Sequence, residues 1–149
     1  TVSGMRGKVT EVGIMATKLL TPDNTVILIP NKLLWGSPIV NYSRMSTRRV
    51  EVMVGISYDS NLKKAIQTAI DLMKKHSLVL KDPAPAVFTT ELADSSVNLQ
   101  LRAWVKTENY WPVKCELTNG ILEAFAEEEK IEIPYPQLDV HLEQKQGTI

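Results

Sequence analysis

Few residue types in this chain are concentrated enough to name a chemistry. One cysteine, Cys115, in 149 residues excludes an internal disulfide and fits a reducing compartment. The two histidines, His76 and His141, stand far apart, and neither has a second ligand at metal spacing. Seventeen basic side chains are balanced by seventeen acidic ones. No net charge therefore draws the chain to nucleic acid or to an anionic membrane surface. Aromatic residues reach only 6%, with no aromatic strand of the kind that stacks RNA bases. No apolar run approaches the ~20 residues that span a bilayer. Residues 1–10 hold no apolar stretch of a signal peptide, and the missing initiator Met reads as a processed or excised piece. Gly4, Gly7 and Gly13 fit neither the dinucleotide fingerprint nor the phosphate-binding loop. With no acid, base, nucleophile or ligand set to assemble, the expectation is no enzyme, no cofactor and no metal.

What is present is a change of pattern along the chain. Pro22, Pro30 and Pro38 punctuate the first forty residues, and no proline follows until Pro83. Short β-branched runs at Lys8–Ile14, Thr17–Leu20, Thr25–Ile29 and Ile39–Tyr42 read as strands. Thr21-Pro22-Asp23-Asn24 reads as the turn of a hairpin. Asn31 is placed to cap one helical turn, Lys32 to Trp35, ended by Gly36. These features predict a small, curled β-domain of Sm-like type.

From Arg48 the periods lengthen. Val50, Val52, Val54 and Ile56 alternate with polar positions, and so do Val97, Leu99, Leu101, Ala103 and Val105. Between these two strands, Asp59 or Ser60 is placed to cap a helix whose apolar face is Leu62, Ala65, Ile66, Ala69, Ile70 and Met73. A strand is expected at Val87–Leu92. A second helix starts near Asn109 with the stripe Trp111, Cys115, Thr118, Leu122 and Phe125, widened by Leu117, Ile121 and Ala124. A last short strand at Asp139–Leu142 completes βαββαβ, a ferredoxin-like split βαβ. The fold class is α+β: an Sm-like β-domain over 1–46, a ferredoxin-like αβ-domain over 47–143, and a tail over 144–149. Charge agrees with that boundary. Residues 1–46 hold five basic and two acidic side chains, and 47–149 hold twelve and fifteen.

Individual residues mostly have plain explanations. Cys115 on an apolar helical face reads as a small core residue, and His76 suits a helix C-terminus. Glu127, Glu128 and Glu129 read as a solvated face, and Gly120 as a close crossing. Arg44, Arg48 and Arg49, with Asn41 and Tyr42, form the one basic cluster. It reads as inter-domain or inter-subunit ion pairs, or as the RNA patch of a soluble Sm-like ring. The low aromatic content and zero net charge weigh against nucleic acid. Val26 and Leu28 face one way and Ile27 and Ile29 the other, so that strand is apolar on both sides. Some 45 residues cannot cover two apolar faces alone, and burial against a neighbouring copy would resolve this.

Six segments in register carry a family resemblance. Gly7-Lys8-Val9 with Glu11-Val12-Gly13, Leu20-Thr21-Pro22-Asp23-Asn24, Ile29-Pro30-Asn31 and Asn41-Tyr42-Ser43-Arg44 lie in the first region. Gly55-Ile56-Ser57-Tyr58-Asp59, after Arg48-Arg49-Val50, and Pro134-Tyr135-Pro136-Gln137-Leu138-Asp139-Val140 lie in the second. Over residues 4–143 the chain resembles the small-conductance mechanosensitive channels of bacterial inner membranes. The resemblance implies the cytoplasmic portion of a homoheptamer that meets the bilayer only through upstream helices. Its β-domains would join into a ring at Val26, Ile27, Leu28, Ile29, Ile39, Val40 and Tyr42. Its αβ-domains would enclose a chamber whose side portals filter ions and small solutes, with Arg44, Arg48 and Arg49 as an ion-pair or portal cluster. In that family the C-terminal tails can meet as a small barrel.

Overall fold

The computed structural model of the chain describes residues 1–2, 4–128 and 131–137. Two compact units follow one another, the first Thr1–Met45 and the second beginning at Ser46. The expected last strand, Asp139–Leu142, and the tail 144–149 lie outside the described residues, as does His141.

The first unit is a three-stranded antiparallel meander, β1 (Lys8–Val12), β2 (Ala16–Leu20) and β3 (Val26–Pro30), followed by the single-turn helix α1 (Asn31–Trp35). The β2–β3 turn uses the chemistry its residues offer. Asn24 takes φ 64°, and Thr21 Oγ1 accepts from Thr25 N at 2.9 Å. The hydroxyl of Thr21, then the Asp23 backbone and Thr25, hold the Asp23 carboxyl below the usual carboxylate range. Two local expectations need correction. Ile39–Tyr42 is not a strand but supplies one bridge, Ile39 to Val2. Asn31 does not cap α1: Pro30 occupies that position, and the Asn31 side chain is bonded elsewhere.

The second unit runs β4 (Thr47–Ile56), α2 (Leu62–Lys75), β5 (Ala86–Leu92), β6 (Val97–Lys106), a 3-10 turn (Thr107–Asn109) and α3 (Tyr110–Ala126). The strand order is β4-β6-β5, antiparallel throughout, so β6 separates the two strands that α2 connects. Val50, Val52 and Ile56 face the helices with the alternate residues Val97 to Val105 of β6, and α2 adds Ala65, Ala69 and Met73. All are buried in one core. The cap of α2 is Asn61, whose side chain accepts from Lys64 N at 3.1 Å. It is not Asp59 or Ser60. Ser60 instead bonds the segment after α3, its Oγ accepting from Glu132 N at 3.0 Å.

The phase of α3 also differs from expectation. The buried row is Val113, Leu117, Ile121 and Phe125, while Trp111, Cys115, Thr118 and Leu122 face solvent. Both sides of this helix are apolar, so period alone does not say which side meets the sheet. Gly120 is a close crossing: a Cβ there would lie 3.2 Å from Leu72 Cδ1 of α2. Beyond α3, Ile131 enters the core, Ser57 N donates to Glu132 O at 2.8 Å, and Gln137 N donates to Ser95 Oγ at 3.3 Å. The segment thus crosses the end of the sheet from β4 to the β5–β6 turn.

Candidate assembly surface

The register of the meander sorts its side chains. Thr17 faces Ile29 and Leu19 faces Ile27 across β2 and β3, with Thr17, Leu19 and Ile29 buried and Ile27 half-buried. Lys18 faces Leu28 and Leu20 faces Val26 on the other side, where Leu28 is 61% and Val26 57% exposed. A strand with two apolar faces has covered only one of them. Ile29, at 2% exposure, has no area left to give a neighbour, whereas Val26, Leu28, Ile39, Val40 and Tyr42 all do.

This imbalance runs through the unit. Among the described residues its buried apolar side chains are Val2, Leu19 and Ile29, against twelve large exposed ones. Sequence reasoning missed most of the twelve, including Val12, Ile14, Met15 and Trp35. The β1–β2 turn leaves Ile14 96% exposed, yet the turn is firmly held. Asn31 Nδ2 donates to Gly13 O at 2.8 Å and Ile14 O at 2.9 Å, and Asn31 Oδ1 accepts from Thr17 Oγ1 at 2.9 Å. Asn31 N also donates to Met15 O at 2.9 Å. Ile29-Pro30-Asn31 is therefore a clamp that displays an apolar tip at little ordering cost. Tyr42 is packed by the Arg6 guanidinium, 5.8 Å from its ring centre.

The three arginines of the basic cluster have separate settings. Arg44 follows the Asn41 turn, where Asn41 Oδ1 accepts from the Ser43 and Arg44 backbone N–H groups at 3.0 Å each. Arg48 lies over the Tyr110 ring at 3.7 Å, on the helix side of the sheet. Arg49 lies on the opposite side and pairs with Glu51 at 2.6 Å. Arg102 and Gln100 join the same carboxylate, at 3.9 and 3.2 Å. Alternation along β4 thus sends neighbouring arginines to opposite faces.

Cys115 is exposed rather than a core residue, a consequence of the α3 phase. His76 caps the C-terminus of α2 as expected, with Nε2 2.7 Å from Glu116 Oε2 of α3. Every buried side-chain N or O among the described residues has a partner, and no described helix is long and apolar enough to cross a membrane.

Residues 1–44 match the family model described as the mechanosensitive ion channel beta-domain, and residues 50–133 match that of the C-terminal region of the mechanosensitive ion channel MscS. An uncharacterised MscS family protein of Synechocystis is 38% identical over 144 residues, which is 95% of this chain and 47% of that protein. A small-conductance mechanosensitive channel of Edwardsiella ictaluri is 34% identical over 143 residues, 96% of this chain and 50% of the channel. The crystal structure of Helicobacter pylori MscS in a closed state superposes with a TM-score of 0.87 at 29% identity, over 96% of this chain and 56% of that one. The chain spans about half the length of these relatives.

Proposed function

The chain belongs to the MscS family of mechanosensitive ion channels, and from this we propose that it is the part of such a channel that gathers copies into a ring on the cytoplasmic side of a bacterial inner membrane. Membrane tension acts on segments outside these 149 residues. The first units of seven copies form the ring, the second units enclose a chamber, and ions and small solutes leave through its openings when external osmolarity falls.

One observation carries this reading. Among its described residues the first unit buries three apolar side chains and exposes twelve large ones, so most of its large apolar side chains have no cover within the unit. A unit of this size is marginal by itself, and a neighbour's surface supplies the missing cover. Val26 and Leu28 on the outer face of β3, with Ile39, Val40 and Tyr42 after α1, are the contact residues. No comparable observation favours RNA, because Arg49 is engaged by Glu51 and Arg48 by Tyr110.

Native mass spectrometry of the full chain tests the reading. The expected result is one dominant oligomer of seven, reduced to monomer by Leu28→Glu, a substitution on an exposed face that leaves the cooperative melting of the second unit intact. A wild-type chain that stays monomeric at every concentration, or an oligomer indifferent to Leu28→Glu, overturns it. In the full-length channel, Leu28→Glu abolishes rescue of channel-deficient cells from osmotic downshock.

A further inference from the structure

Two ion pairs tie α2 to α3. Lys64 reaches Glu128 near one end, and His76 Nε2 lies 2.7 Å from Glu116 Oε2 near the other. The two helices therefore run antiparallel, and Gly120 meets Leu72 between the bridges. There they leave a groove of about 520 Å³ that none of their core residues lines. Its floor is uncharged and half-buried, made by Thr68, Leu72 and Ala124, with Gly120 adding no side chain to fill it. The lining runs over positions 68–75 of α2 and 120–127 of α3, which is two helical turns, or about 10 Å.

Each bridge sets a base against an acid, but the rim between them is unbalanced. It carries the carboxylates of Asp71, Glu123 and Glu127 against one cation, Lys75. Asp71 is met by the neutral amide of Gln67 at 2.9 Å, and none of the three carboxylates has a salt bridge among the described residues. An uncharged floor between acidic rims suits a guest with an apolar centre and cations along its edges. A lone cation would leave the floor in water, and a purely apolar guest would strip water from the carboxylates without replacing it. A third helix fits both requirements, with apolar residues one turn apart and lysine or arginine beside them. No described helix of this chain offers that face. α1 is a single turn, α2 commits Ala65, Ala69 and Met73 to the core, and α3 contains one base, Lys114.

We propose that the α2–α3 groove docks a basic amphipathic helix of a different protein, not another copy of this chain. The apolar residues of that helix rest on Leu72 and Ala124, and its cations meet Asp71, Glu123 and Glu127. Two turns of contact bury far less than a standard interface, so the complex is transient and weakens as salt rises. The surface belongs to the second unit alone and does not depend on the ring reading above.

Fluorescence anisotropy of two labelled synthetic peptides with the full chain at low salt provides the test. One probe is a leucine-lysine peptide of about 15 residues with its leucines on one helical face. The other has the same composition in an order that removes that face. The first should bind about tenfold more tightly than the second, because only it can cover the floor and the rims together. Glu123→Lys combined with Glu127→Lys, both at exposed positions, should weaken it by about tenfold, whereas Glu108→Lys, an exposed acid outside the groove, should not. Equal binding of the two peptides would show attraction between charges alone and overturn the proposal. Binding indifferent to the reversal of Glu123 and Glu127 would place the peptide elsewhere and overturn it too, as would no binding at all. A chain that stays monomeric yet binds the first probe in this way would sustain the groove and overturn only the ring.

Discussion

Asn31 shows how one side chain can do more than its local pattern suggests. Its position after Ile29-Pro30 and before a short helical run made it a natural cap, and the residue matters, but for a tertiary reason. Three of its side-chain hydrogen bonds reach residues 14 to 18 positions away, which no local pattern encodes. The buried hydroxyl of Thr17 depends on it. Asn31→Ala leaves that hydroxyl and two turn carbonyls without their partner, and the expected cost is about 1–3 kcal/mol. Calorimetry of the full chain, read at the transition of the first unit, measures it. Gly7 carries a similar constraint. A Cβ there would lie 2.9 Å from Leu20 O, a backbone atom that cannot swing aside. Gly7→Ala should therefore destabilise the meander, and an unchanged denaturation midpoint would show that the backbone relaxes freely.

Among the elements, α2 and the strands β4 and β6 follow their sequence patterns closely, while α3 does not. α2 has one apolar face and charged residues elsewhere, so period alone orients it. In β4 and β6 strict alternation does the same, and every expected residue is buried except Val54, which is half-buried against the core. α3 is apolar on two sides, and only the sheet decides which side is inside. That ambiguity placed Cys115 in the core by pattern and on the surface in fact. The start of α2 departs from its sequence pattern for a different reason. Asp59, Ser60 and Asn61 are all competent caps, and Ser60 is taken by Glu132, 72 positions away. Asn61→Ala should cost about 1 kcal/mol, and Ser60→Ala should spare the helix but loosen the segment at 131–133. Hydrogen exchange at Lys64 and Glu132 amides separates the two effects. At the crossing of α2 and α3, Gly120→Ala should be close to neutral. Its gain of ~1 kcal/mol in helix propensity is set against a small displacement of a flexible leucine end. Gly120→Ile should push the helices apart and lower the melting temperature of the second unit.

The two units of the molecule differ in what they can support alone. Among the described residues the second holds a continuous core of seventeen buried apolar residues drawn from β4, β6, α2, α3 and the flanking Val79 and Ile131, with Val87 of β5 packed against it. The first holds three and leaves most of its apolar side chains in solvent. Burial stabilises by about 25 cal/mol per Å² of apolar area, against an ordering cost of ~1–2 kcal/mol per residue. On that balance the second unit closes its own account and the first does not. Residues 46–137 expressed alone should therefore unfold cooperatively on heating, while residues 1–45 alone should show no transition. In the full chain the first unit gains its stability by mass action, so its melting temperature should rise with protein concentration. Leu28→Glu should remove that dependence and lower the first transition, while the second unit still melts cooperatively. Differential scanning calorimetry across a hundredfold range of concentration reads both. If the first transition is independent of concentration and survives Leu28→Glu, the exposed residues of β3 and the Ile14 tip do not need a neighbour, and the first unit stands as a folded monomer.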